Sequence, residues 1–247
     1  MAFFGFDQVD DHIKTHKVKD LFSRVTNSYD VMNDVMSGGL HRFWKCKFLS
    51  GLDIRPCDRI VDMASGTGDI TQGIMKKYNF LNVHVTAVDL TESMLHLGQS
   101  RATDKGIIQN VDYVVADGED LPFDDHAFDV YTCSFGLRNV GNLEKALAEA
   151  YRVLKPGGRF YCLEFSSMRL EVLRPFYDTY SFHIIPLFGK YIARDEAAYQ
   201  YLVESIRKFP NQEDFKEKIE ATGFQRVTFD NMSGGIVAVH TGVKDGL

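Results

Sequence analysis

The stretch Ile60-Val-Asp-Met-Ala-Ser-Gly-Thr-Gly-Asp69 decides the fold. It opens on apolar, partly β-branched residues and closes on a glycine pair, Gly66 and Gly68. An apolar-periodic run from Ile70 to Tyr78 follows. That order predicts a buried strand, a glycine turn and a helix. Glycine has no Cβ and tolerates positive φ, so the turn lets a ligand approach the backbone. After the first strand of an open parallel sheet, it stands where small-molecule cofactors bind.

A glycine pair alone does not choose the cofactor. The nicotinamide fingerprint wants a third Gly or Ala three residues past the second glycine, and Thr71 stands there. No Gly-Lys-Ser/Thr follows, which excludes a phosphate-binding P-loop. The string Asp62-x-x-x-Gly66-x-Gly68-Asp69 resembles the first motif of class I S-adenosylmethionine methyltransferases. Carboxylates such as Asp62 and Asp69 suit a sulfonium cofactor with an amino-acid tail and would repel a pyrophosphate.

Working outward, Val83 to Val88 predicts a second strand ending at Asp89, about 20 residues past the turn. An acidic residue there can accept both ribose hydroxyls of an adenosine. Glu92 to Lys105 predicts a helix that stops at Gly106. Val111 to Ala116 is a third strand, followed by Asp117-Gly118. In methyltransferases an acidic residue at this place reads the adenine amino group. Asp62, Asp89 and Asp117 thus fall near the carboxyl ends of successive strands. The fourth strand is Phe128 to Ser134, and Phe135-Gly-Leu-Arg-Asn139 lies on the same rim, which makes Arg138 and Asn139 candidates for the chemistry. Helix Leu143 to Leu154 ends in the stop Lys155-Pro-Gly-Gly158, and Arg159 to Phe165 is the fifth strand.

The flanks are helical. Val18, Leu21, Phe22, Val25, Tyr29 and Met32 repeat at helical spacing within a helix from Lys17 to Met36, and His41 to Leu52 forms a second. Either they pack on the sheet or they form a lid over the substrate. Leu170 to Lys190 is aromatic-rich, with Phe176, Tyr180, Phe182 and His183, and with a helix from Asp195 to Lys208 it can wall an apolar pocket. Asn211 caps a further helix to Thr222. Val227 to Asp230 and Ile236 to Val243 are the last strands.

The 247 residues fit one α/β domain: N-terminal helices over 1–55, a cofactor core over 56–166, a helical insertion over 167–209, and a last helix and hairpin over 210–247. The expected fold class is α/β, a Rossmann-like, mostly parallel sheet with a C-terminal antiparallel hairpin. A net charge of −6 without a basic run argues against nucleic-acid binding. Four cysteines show neither metal spacing nor a disulfide framework. No stretch is long and apolar enough to span a bilayer, and no signal peptide or Arg/Ser-rich presequence opens the chain.

Nearly the whole chain resembles the ubiquinone/menaquinone biosynthesis C-methyltransferases. The matching strings are Phe4-Gly-Phe6, Tyr29-Asp-Val-Met-Asn-Asp34, Met36-Ser-Gly-Gly-Leu-His-Arg42, the glycine motif, Phe135-Gly-Leu-Arg-Asn-Val140, Tyr151-Arg-Val-Leu-Lys-Pro-Gly-Gly-Arg159, Leu163-Glu-Phe-Ser166, Tyr177-Asp-x-Tyr-Ser-Phe182 and Tyr201-Leu-x-Glu-Ser-Ile-Arg207. Tyr199 to Pro210 looks more like the mitochondrial branch, which favours the ubiquinone precursor. Two departures stand out: Ser65 replaces a usual glycine, and no proline follows Ser166.

The resemblance implies S-adenosylmethionine as cofactor, held by Gly66, Thr67, Gly68, Asp89, Asp117, Gly118 and Ser134, to which the reading of the carboxylates near the turn adds Asp62. It implies carbon methylation of a 2-polyprenyl-6-methoxy-1,4-benzoquinol; Tyr29, Arg138 and Asn139 are the residues expected around the hydroxyl that activates the ring, and no metal is expected. The substrate's apolar tail calls for a membrane surface or a partner. A multiprotein quinone-biosynthesis complex and a homodimer fit the same resemblance, as does the matrix side of the mitochondrial inner membrane; the alternative is a dual-substrate enzyme of the bacterial cytoplasm. A nicotinamide oxidoreductase on the same sheet and a non-catalytic scaffold subunit are the rival readings.

Overall fold

The computed structural model describes residues 2–169 and 196–246. An antiparallel pair, β1 (Ala2–Phe4) and β2 (Asp7–Val9), opens the chain, followed by α1 (Asp11–Val25), α2 (Tyr29–Ser37) and α3 (Leu40–Ser50). The sheet strands β3 (Arg59–Met63), β4 (His84–Asp89) and β5 (Val111–Val115) alternate with α4 (Asp69–Tyr78) and α5 (Glu92–Asp104). Then come β6 (Phe128–Ser134), α6 (Leu143–Val153), β7 (Leu154–Phe165), α7 (Glu196–Lys208), α8 (Gln212–Ala221), β8 (Gln225–Met232) and β9 (Val237–Val243).

The seven strands run in the order β5-β4-β3-β6-β7-β9-β8. The first five pair in parallel, and β9 is antiparallel to both neighbours. The expected α/β sheet with a C-terminal antiparallel hairpin is therefore the observed one. Strand order reverses at β3, between β4 and β6, and the carboxyl ends on either side of such a reversal open a crevice.

One face of the sheet packs Tyr131, Phe160, Leu147, Phe215 and Phe224 beneath α6 and α8. The other packs Ile60, Val85 and Val130 against Trp44 and Phe48 of α3 and Ile70 and Ile74 of α4. Each fully buried side chain of this size contributes about 1.5–3 kcal/mol. A third cluster lies apart, made of Val18, Leu21, Val25 and Met32 with Tyr199, Tyr201 and Leu202 of α7 and Met94 of α5. It places the N-terminal helices over the crevice.

Differences from the sequence reading are local. The expected helix from Lys17 to Met36 begins at Asp11 and is broken by a 3-10 turn over Thr26–Ser28. The Thr26 hydroxyl donates back to the Phe22 carbonyl at 2.8 Å and the Ser28 hydroxyl to that of Val25, local bonds that compete with the helix. Lys155-Pro-Gly-Gly158 is an irregularity within β7, not a stop before it: Phe128 pairs with Leu154 and Val130 with Arg159. The β1–β2 hairpin was not anticipated. Its strands are three residues each, too short for a period to show. The aromatic segment Leu170 to Lys190, with Phe176, Tyr180, Phe182 and His183, lies outside the described residues.

Candidate active site

The crevice encloses about 680 Å³ of space, its open mouth included, between the carboxyl ends of β3, β4, β5 and β6 and the helices α1 and α2. Its floor is the glycine turn. Gly66 and Gly68 have φ of +54° and +81°, and a Cβ built on Gly66 would meet open space. Gly66 lines the crevice; Gly68 caps the start of α4 and does not. Thr67, buried beneath the turn, is crossed by α5 at Gly98, where a Cβ would come within 3.0 Å of the Thr67 carbonyl carbon. Gly98 was missed from sequence, though a lone glycine inside a helical run is a signal of close packing.

Asp89 stands at the end of β4. One carboxylate oxygen accepts from the Gly66 N–H at 2.8 Å and the other from the Thr91 N–H at 2.8 Å. It thereby fixes the turn and keeps lone pairs for a ligand's hydroxyls. Burial raises its carboxyl above the ordinary range despite these donors. Asp117 and Gly118 also line the crevice, and Asp117 accepts from the Glu119 N–H at 3.0 Å. Val88, Leu90, Met94 and Ala116 supply apolar wall between the two aspartates.

Asp62 does not reach the crevice. Its two oxygens accept from Thr71 at 2.7 Å and Thr132 at 2.9 Å, and burial pushes its carboxyl up to about 6. The residue that broke the nicotinamide fingerprint, Thr71, thus ties α4 to β3. Asp69 turns the other way, to Lys45 at 2.7 Å. Ser134, at the end of β6, stands outside the lining, and its hydroxyl lacks a partner among the described residues, as does that of Ser65 beside the turn.

The opposite wall is built by side chains. Thr15, Val18 and Phe22 of α1 and Tyr29 of α2 face the crevice, with Phe22 edge-on to Tyr29 at 6.1 Å. Phe135, in the left-handed region at φ +59°, turns the chain so that Gly136 and Asn139 also line it. A Cβ on Gly136 would lie 2.4 Å from that of Ala64, so only glycine lets this loop approach the glycine turn. Asn139 accepts from the Tyr201 hydroxyl at 3.1 Å and donates toward the Phe135 carbonyl at 3.4 Å. Tyr201 stacks on Phe4 of the hairpin, ring centroids 4.3 Å apart.

Tyr29 and Asn139 therefore share the crevice, whereas Arg138 is buried one layer behind. Its guanidinium donates to Glu164 at 2.8 Å and to the Phe135 carbonyl, lies 5.2 Å from the Phe165 ring, and lines a small neighbouring hollow with Lys45 and His41. Burial raises the Glu164 carboxyl, and Arg138 opposes that rise. Lys14 of α1, its ammonium lowered to about 8 by burial, donates to the Arg138 carbonyl at 3.1 Å. Glu164, Lys14 and Tyr201 were not singled out as site residues, because each acts on a residue distant in the chain: 26 residues away for Glu164, 124 for Lys14 and 62 for Tyr201.

Strand order, crevice and glycine turn place the chain in the class I methyltransferase fold. Solved structures share it. A phosphoethanolamine N-methyltransferase of Haemonchus contortus, in complex with phosphomonomethylethanolamine and S-adenosylhomocysteine, aligns with a TM-score of 0.68 over 92% of this chain and 60% of its own, at 16% identity. A Haloferax volcanii complex of the Trm112 methyltransferase activator and a putative methyltransferase aligns at 0.64, over 91% and 97%, also at 16% identity. More specifically, the sequence model of the ubiE/COQ5 methyltransferase family matches residues 10–244, and the chain belongs to that family. It is 52% identical over 98% of its length to the ubiquinone/menaquinone biosynthesis C-methyltransferase of Brucella anthropi, covering 92% of that protein. The protein of the same description in Brucella canis is 51% identical, with 98% and 90% covered.

Proposed function

We propose that the protein methylates a ring carbon of a 2-polyprenyl-6-methoxy-1,4-benzoquinol from S-adenosylmethionine. The observation that carries this reading is the crevice itself, with Asp89 and Asp117 on one wall and Tyr29 and Asn139 on the other. The residues fit the cofactor: an open glycine turn, a carboxylate with spare lone pairs, an apolar slot and unpartnered serine hydroxyls beside it. Bound there, S-adenosylmethionine supplies an electrophilic methyl group. Gly66, Asp89, Asp117 and Gly118 hold it, Thr67, Gly68 and Ser134 shape the floor, and Asp62 fixes that floor from below.

The ring carbon becomes nucleophilic when the adjacent hydroxyl loses its proton. Tyr29 and Asn139 hold that hydroxyl, or a water that takes its proton. Asn139 has its carbonyl oxygen turned to Tyr201 and one amide N–H turned to Phe135, so its second N–H is available for developing phenolate charge. Arg138 contributes from behind, by fixing this loop and by its positive charge. Holding the ring carbon in line with the methyl supplies much of the acceleration. As the carbon–carbon bond forms, the sulfur–methyl bond breaks and S-adenosylhomocysteine leaves. The ring carbon's own hydrogen is then lost as a proton to water, which restores the aromatic quinol.

A second reading, methylation of a demethylmenaquinol as well, is favoured by the paired quinone names of the Brucella relatives. Those relatives are bacterial, which favours a bacterial over a mitochondrial setting. Among the described residues no helix is long and apolar enough to cross a membrane. The test is mass spectrometry of purified protein with S-adenosylmethionine and each reduced quinol in parallel. Methylation on carbon of the benzoquinol alone supports the first reading, and methylation of both the second. Methylation of neither, with S-adenosylhomocysteine still binding, favours a scaffold role.

A further inference from the structure

The proposed substrate has an apolar tail, while the chain carries net charge −6. Its charge is nonetheless uneven. An open groove between α3, α4 and α5 is lined by Arg42, Lys45, Lys76, Lys77, Arg101 and Lys105. Asp30 and Asp69 answer them inside the groove and Asp34 at its edge, which leaves three positive charges in excess. The three arginine and lysine ion pairs use Arg42, Lys45 and Arg101. Lys76, Lys77 and Lys105 have no carboxylate partner among the described residues: Lys77 donates to the Leu49 carbonyl and Lys105 to Gln72.

The second observation is what flanks these lysines. Large apolar side chains are exposed on α3 and just past the other two helices: Leu40 and Phe43 on α3, Phe80 past α4, and Ile108 past α5. Phe80 is 81% exposed and Ile108 70%, and each follows a groove lysine by three residues. Phe43 shares a helical row with Cys46 and Ser50, both in the groove lining. Cationic side chains beside exposed aromatic and aliphatic ones have the composition of a surface that rests in a lipid headgroup layer. Leucine and isoleucine on the rim favour hydrocarbon over nucleic-acid bases as the neighbour.

We propose that this face docks on an anionic lipid bilayer, with headgroup phosphates in the lysine groove and Phe43, Phe80, Leu40 and Ile108 in the interface. The groove shares Asp30 with the helix that carries Tyr29, and Asp69 with the end of the glycine turn. Docking there sets the α3–α4–α5 side of the sheet on the bilayer, with the crevice at one end of that side and Phe80 and Ile108 at the other, so the inference rests on the apolar-tailed quinol of the proposed function for its purpose, though not for its test.

The test is co-sedimentation of the full chain with vesicles of phosphatidylglycerol and phosphatidylcholine, and with phosphatidylcholine alone. Lys76→Glu/Lys77→Glu and Phe80→Ser are compared with the unaltered chain, and S-adenosylhomocysteine affinity is the folding control. The expected result is salt-sensitive binding to the anionic vesicles only. The charge-reversal pair should weaken it at least tenfold and Phe80→Ser about fivefold, with cofactor affinity unchanged. Equal binding to both vesicles, no binding, or variants that bind as the unaltered chain does would overturn it. So would capture of single-stranded RNA, in place of vesicles, that the charge reversal abolishes. Methyl transfer to a tail-less quinol, measured on the same variants, separates the two readings: it should stay unchanged when docking is lost. Its absence from the unaltered chain would count against the enzyme reading and leave the vesicle result standing.

Discussion

The two walls of the crevice are made differently. The cofactor wall is mostly backbone: Gly66, Asp89, Asp117 and Gly118 sit at strand ends, and the one long link within it, from the Asp89 carboxylate to the Gly66 N–H, spans neighbouring strands. The lid wall is mostly side chain, and its parts come from α1, the loop after β6, β7 and α7. Tyr201 reaches Asn139, Lys14 reaches the Arg138 carbonyl, and Arg138 reaches Glu164. A backbone-built wall is encoded by a short string. A wall built from distant side chains is encoded only by the folded arrangement, and each of its links can be broken singly.

The largest expected effect falls on the lid wall. Glu164→Ala leaves the buried Arg138 guanidinium without its partner, and unfolding stability should drop by about 3–5 kcal/mol, read by thermal or urea denaturation. A loss below 1 kcal/mol would mean that the pair does not hold this loop. On the cofactor wall, Asp89→Ala should weaken S-adenosylhomocysteine binding by about ten- to a hundredfold in calorimetry, the worth of hydrogen bonds to a charged group.

These walls were unequally legible in the sequence. Gly66, Asp89, Asp117 and Gly118 line the crevice, a position legible because strand periodicity and a glycine turn fix where strand ends fall. Asp62 lies in the same string but faces down into the sheet, since alternation along β3 sends it to Thr71 and Thr132. Phe135 to Asn139 was legible as a rim loop. That Arg138 and Asn139 face different cavities was not, because the left-handed turn at Phe135 has no signature in a phenylalanine. The N-terminal helices were legible as helices and lie over the crevice, yet the cluster that fixes them needs α7, some 170 residues away.

Asp62 offers a pH test of the floor. Its carboxyl has an ordinary value of 3.8 and is pushed to about 6 in the fold. The folded chain therefore holds the extra proton between these values, so this group favours folding at low pH, and that contribution fades as pH rises through 6. Between pH 7 and pH 5 it should add about 1 kcal/mol of stability, and Asp62→Asn should abolish that increment. An unchanged pH profile in the variant would show the carboxyl to be ordinary.

The smallest effect belongs to Tyr201→Phe. It removes one hydroxyl bond to Asn139, worth about 1 kcal/mol, and keeps the stack on Phe4. The expected outcome is a fall in kcat of about fivefold with unchanged cofactor affinity. A change confined to thermal stability would assign Tyr201 to packing alone.

The division between the walls is tested most directly by single-turnover methyl transfer with Asp89→Ala and Asn139→Ala, each followed across a range of S-adenosylmethionine concentrations. Asp89→Ala should need far more cofactor yet approach the unaltered rate at saturation. Asn139→Ala should bind the cofactor normally and remain slow at every concentration. If both variants recover at saturation, or both stay slow, the two walls do not separate binding from chemistry.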